Sequence, residues 1–121
     1  MRSSLILLAA FILMSCGQKQ VSYREKIQPI LAERCVSCHG PDLARAKVSV
    51  ASYQELMKSK TKSGRQPLVT PGNLEESWLY TLCSTVQPQY RMPPDTSHKV
   101  PLPKEELALL QSWIMQGARD N

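Results

Sequence analysis

Cys35-Val36-Ser37-Cys38-His39 restricts what this chain can become more than any other stretch. Two thiols three positions apart with an imidazole directly after the second have three established uses: covalent attachment of a haem, a zinc site, or a redox-active thiol pair. The remaining residues decide among them.

The beginning of the chain points to export. Arg2 is followed by ten unbroken apolar residues from Leu5 to Met14 and then by small residues at Ser15 and Gly17. That run is about half of what a bilayer-spanning helix requires, so residues 1–15 read as a cleaved export signal. Leu13-Met14-Ser15-Cys16 resembles the lipobox of bacterial lipoproteins. The resemblance implies that Cys16 is acylated and becomes the first residue of the mature protein, with 16–22 as a lipid-anchored linker. More than one acyl chain on a residue suffices for stable attachment to a membrane surface. The expected location is the cell envelope, extracytoplasmic and tethered to a membrane.

From Cys16 onward about a hundred residues remain, enough for one small domain, assigned here to 23–119. The whole chain has 1 Phe among 7 aromatic residues, so side chains alone fill little core and a bulky apolar cofactor would supply the rest. The net charge is +5, with Lys58, Lys60, Lys62 and Arg65 as the one local concentration of basic residues. No reading module or aromatic platform accompanies them, so nucleic acid is not an expected partner. A charged prosthetic group would offset part of the balance.

With Cys16 assigned to lipid, Cys35, Cys38 and Cys83 remain, an odd number that argues against a disulfide framework. Zinc would take those three with His39 or His98, but no second Cys-x-x-Cys is present. A thioredoxin-like pair belongs beside a strand-helix-strand pattern that this chain lacks. Haem uses every element of the stretch: thioethers from Cys35 and Cys38 to the porphyrin, and His39 on the iron as proximal ligand. One haem c is therefore the expected cofactor.

The other side of the iron has four candidates in the mature chain: Met57, Met92, Met115 and His98. Met57 and Met115 fall on predicted helices and read as packing or surface side chains. Met92 stands in Arg91-Met92-Pro93-Pro94, within a stretch from Gln87 to Pro103 that holds 5 of the 9 prolines. Pro93 keeps Met92 out of helical angles, and a stiff irregular loop suits a thioether held toward a metal. Met92 is the expected distal ligand and His98 the alternative; Arg91 is placed for a haem propionate.

Periodicity predicts an all-α domain. Tyr23, Ile27, Ile30 and Leu31 share a face of a first helix in which Pro29 marks a kink or break. Ser52 and Glu55 form a capping box for a short second helix. Asn73 and Glu76 are set to cap a third, with Leu79, Leu82, Cys83 and Val86 on one face and Cys83 as a small core residue. The last begins near Pro103, carries Glu105 and Glu106 in its first turn, turns Leu107, Leu110, Trp113 and Ile114 inward, and ends at Gly117.

Four stretches together, "IQPILAERCVSCHG", "VTPGNLEESWLY", "RMPP" and "ELALLQSWIMQGA", resemble successive motifs of the planctomycete-type cytochrome c family. The resemblance covers nearly all of 24–118 and implies a small class I-like cytochrome c fold with His39 and Met92 as axial ligands. Ligands on both faces of the iron favour a carrier of single electrons between redox proteins of the envelope over catalysis. A haem enzyme or small-ligand sensor with an opening distal site, or a haem docking module of a larger complex, are the alternatives. One departure stands out: no glycine occurs between Gly40 and Gly64, where the family commonly has glycines soon after the haem motif.

Overall fold

The structure, a computed structural model, describes residues 17–97 and 100–121. The expected signal segment 1–15, the expected anchor Cys16 and the alternative ligand His98 lie outside the described residues. Among the described residues the fold is helical, with isolated β-bridges and no strands.

The first helix starts where Ser22 accepts the Glu25 N–H on its side chain. It opens as a π-helical turn, Tyr23–Ile27, in which the Gln28 N–H reaches back five residues to the Tyr23 carbonyl. It then continues as α1, Gln28–Arg34. Pro29 sits in the first turn of α1, where a missing N–H leaves nothing unpaired, so the expected break takes the form of a change of helix type. Tyr23, Ile27, Ile30 and Leu31 are all buried, as their spacing required.

Three further helices follow: α2, Tyr53–Lys58; α3, Trp78–Ser84; and α4, Lys104–Met115. The Ser52 side chain caps α2 by accepting the Glu55 N–H. The second half of the expected capping box is replaced, because the Glu55 carboxylate accepts from the Ser49 hydroxyl instead. Met57 packs half-buried against the core and Met115 is exposed, so each fills one of the two roles expected of them.

α3 departs from expectation at both ends. Asn73 does accept the Glu76 N–H, but this closes a turn and not the helix. Ser77, fully buried, turns its hydroxyl toward the Thr70 and Asn73 carbonyls, and the helix begins only after it. At the other end Thr85 is extended and Val86, expected on the buried face, is 88% exposed. Gln87 precedes Pro88, which disfavours helical angles there, and the apolar face stops at Cys83.

α4 follows its sequence pattern closely. Leu110, Trp113 and Ile114 are buried, Leu107 is half-buried, and Glu105 and Glu106 lie in the first turn. The end is a Schellman motif: the Ala118 N–H donates to the Trp113 carbonyl and the Gly117 N–H to the Ile114 carbonyl, with Gly117 at φ 100°.

The helices meet around three rings. Tyr23 lies edge-on to Tyr53 at 5.2 Å and tilted against Trp113 at 5.5 Å, joining the first helix, α2 and α4. The two ends of the domain are tied together. Val21 N–H donates to Gln116 Oε1, and the Tyr23 and Arg24 N–H groups donate to the Asn121 side chain and carbonyl. Donors that a helix N-terminus leaves unpaired are thus satisfied from a hundred residues away.

Candidate cofactor site

The Cys-x-x-Cys-His stretch begins where α1 stops. The Cys35 N–H closes the last turn on the Leu31 carbonyl, and the Cys38 and His39 N–H groups both donate back to the Cys35 carbonyl, at 3.0 and 2.8 Å. The five residues therefore form one tight loop that turns both thiols and the ring to one side of the chain. Gly40 makes the loop possible, because a Cβ there would run into the Val36 carbonyl and lie 2.8 Å from Val36 Cγ1. The loop is then pinned from outside. Arg45 N–H donates to the Cys38 carbonyl at 3.0 Å and Val50 N–H to the His39 carbonyl at 2.8 Å.

His39 Nδ1 lies 3.1 Å from the Arg45 carbonyl oxygen. A carbonyl only accepts, so this contact puts the ring proton on Nδ1 and leaves Nε2 with a lone pair for a metal. The segment that supplies the carbonyl is strained: Ala46 and Lys47 take φ values of 58° and 61°. This is how a stretch without glycine makes the turn, with two ordinary residues in the left-handed region.

A cavity of about 430 Å³ opens beside this loop. Cys35 and His39 line it together with Val48, Val50, Leu68, Trp78, Leu79 and Leu82. Met92 lines the same cavity, half-buried, and its N–H donates to the Leu82 carbonyl at 2.9 Å, which fastens the proline-rich loop to α3. Cys38 lines a small adjoining recess whose walls also include Cys35, His39, Met92 and both prolines, Pro93 and Pro94. The two cysteines, the histidine and the methionine singled out from sequence are thus brought to one place.

Cys83 lines the cavity too, 4% exposed, and burial pushes its thiol up, with the charge of Cys35 adding to the effect. It packs with the core, as its place on the apolar face of α3 predicts. Among the described residues no group of three or more Cys, His, Asp or Glu side chains is arranged to hold a metal ion, so the zinc arrangement of Cys35, Cys38, Cys83 and His39 is not assembled.

The room and its chemistry suit a haem. The wall is apolar, the thiols sit at its edge, and nitrogen and sulfur donors open onto one space. Arg91, beside Met92, pairs with Asp95, yet its Nε is buried without a hydrogen-bond partner, a donor that a propionate oxygen would satisfy. Trp78 and the Arg45 carbonyl were missed in the sequence. Trp78 was readable, since 78, 79, 82 and 83 lie on one stripe of a helix and all four line the cavity. The Arg45 carbonyl was not, because every residue has one.

A helical domain folded around an apolar cavity, with Cys-x-x-Cys-His on its wall, defines a c-type haem protein. The planctomycete cytochrome C family matches residues 35–96, half of the chain, and the chain belongs to that family. Membership implies covalently bound haem c and the haem-binding, electron-carrying role of cytochromes c. No curated protein and no solved structure matches the chain.

Proposed function

We propose that this chain is a monohaem c-type cytochrome, tethered to a membrane of the cell envelope through Cys16, that passes single electrons between redox proteins. The observation that carries the reading is that His39 and Met92 open onto the same cavity from different segments of the chain. A haem bound there supplies an iron that alternates between the ferric and ferrous states. The residues do the rest. Cys35 and Cys38 hold the macrocycle as thioethers, and the Arg45 carbonyl keeps the His39 ring oriented with Nε2 forward. Met92 offers a thioether from a loop stiffened by Pro93 and Pro94 and fastened at Leu82. Val48, Val50, Leu68 and Leu79, all buried, keep water away and so favour the less charged state of the iron. Arg91 Nε, buried without a partner, would donate to a propionate. Ligands on both faces suit electron transfer, because they leave no position at which a substrate is bound and altered.

The test is an absorption spectrum of the haem-loaded protein, with Met92→Ala beside it. The ferric wild type should be low-spin and show the weak red band of iron bonded to methionine sulfur, and the variant should lose it. A high-spin wild-type spectrum that shifts with carbon monoxide or peroxide would instead establish an open distal position and a ligand-binding or enzymatic role.

A further inference from the structure

The segment 16–22, expected as a linker, is bound to the end of α4 from Lys19 onward. The Gln116 carboxamide grips it on both sides of Gln20: Nε2 donates to the Lys19 carbonyl at 3.4 Å, and Oε1 accepts from the Val21 N–H at 2.7 Å. The Ser22 hydroxyl donates to the Asn121 carbonyl at 2.8 Å. Three residue steps separate Cys16 from Lys19, a fully extended reach of at most about 11 Å. A lipid anchor at Cys16 therefore keeps the end of α4 next to the headgroups.

The side chains at that end suit such a surface. Met115, beside Gln116 in the last turn of α4, is a large apolar side chain left 54% exposed. A flexible thioether fits the irregular boundary between headgroups and acyl chains. Residues 17–26 and 115–121 hold four basic side chains, Lys19, Arg24, Lys26 and Arg119, against Glu25 and Asp120, and all four are exposed. Arg24 pairs with Asp120, and the excess that remains favours anionic headgroups. The residues that line the haem cavity run from Cys35 to Met92, so a seat at this end engages no residue of its wall.

We propose that the end of the domain formed by Lys19, Met115 and Gln116 rests on an anionic lipid surface, with Met115 in the headgroup layer and the short tether fixing which side of the domain meets the membrane. The inference rests on the anchor reading of Cys16 above. It leaves the cavity wall to redox partners.

The experiment takes the full haem-loaded lipoprotein, added to preformed vesicles of phosphatidylethanolamine and phosphatidylglycerol, and follows alkylation by a polyethylene glycol maleimide in Met115→Cys and, as a control on an exposed loop, Arg65→Cys. Cys35 and Cys38 are blocked as thioethers, Cys16 by acylation and Cys83 by burial, so the introduced thiol is the one that reacts. Each is compared with the same variant carrying Cys16→Ser, which has no anchor. On vesicles Met115→Cys should react about tenfold more slowly than its anchorless form, and Arg65→Cys at an unchanged rate. A Gly-Ser insertion of about twenty residues after Gln18, with a reach of about 25 Å, should lift the protection of position 115. Equal rates at position 115 with and without the anchor overturn the proposal. So does protection that survives the insertion, or protection already present without the anchor, which would mean that a second copy of the chain covers Met115. If the anchor reading fails, the wild type does not float with the vesicles and the proposal falls with it; a failure of the seat alone leaves flotation intact.

Discussion

At the scale of single residues the site depends on backbone as much as on ligands. The Arg45 carbonyl that orients His39 is presented by a turn in which Ala46 and Lys47 are left-handed, a conformation costing an ordinary residue about 1–2 kcal/mol. Ala46→Gly should therefore raise stability by about 1 kcal/mol, after the added freedom of glycine in the unfolded chain is set against the relieved strain. Denaturant unfolding of the haem-loaded protein measures it. A loss of stability would mean that the Ala46 methyl, which faces the cavity, matters more than the strain. The sequence showed that glycines were missing here, but not which residues would take their conformation. The candidate ligands were the opposite case: Cys35, Cys38, His39 and Met92 could be singled out because each proposed role needs a particular side chain, and the structure brings all four around connected space.

Among elements, legibility followed how each helix ends. α4 was readable throughout, since its apolar stripe, acidic first turn and terminal glycine are all local signals that agree. α3 was not, because the Asn73 signal closed a turn and Ser77 was drawn inward to Thr70, a contact between loops that no local pattern announces. Its C-terminus was overextended to Val86 although Pro88 was in view. α1 is held to α4 by Arg34, whose Nε and Nη2 donate to both oxygens of Glu106 at 3.1 and 2.9 Å. These hydrogen bonds push the Arg34 guanidinium still further above its usual range, so it stays charged. The haem motif begins at the next residue, and the fork fixes its starting point relative to α4. The end of α4 gives a direct test. A Cβ on Gly117, at φ 100°, would meet nothing nearer than Arg119 Nε at 4.0 Å, so Gly117→Ala is penalised by conformation rather than by collision. It should cost about 1 kcal/mol or more, read as a lower midpoint with an unchanged denaturant slope.

For the molecule as a whole the centre is Tyr23, where the first helix, α2 and α4 meet. Its hydroxyl is buried without a partner, and burial, with the charges of Asp120 and Tyr53 adding, pushes it up to about 12. The unfolded chain releases this proton near pH 10 while the folded one keeps it, so the contribution is complete below pH 10 and is lost as pH rises toward 12. Tyr23→Phe should be neutral or stabilising at pH 7, since it removes an unsatisfied hydroxyl, and should fall less steeply than wild type above pH 10. Equal alkaline slopes in the two proteins would contradict this. The larger dependence is on the cofactor. Leaving an apolar cavity of about 430 Å³ unfilled would cost at most about 10 kcal/mol at roughly 24 cal/mol per Å³, less whatever the walls recover by collapsing. That is comparable with the whole stability of a small domain, about 5–15 kcal/mol. Cys35→Ala/Cys38→Ala protein purified without haem should therefore lose cooperative thermal unfolding and much of its helical circular dichroism, and regain both on binding haem without the covalent links. Retention of a sharp transition with no haem present would mean that the ring cluster of Tyr23, Tyr53 and Trp113 folds the chain alone and the cavity is only lodged in it.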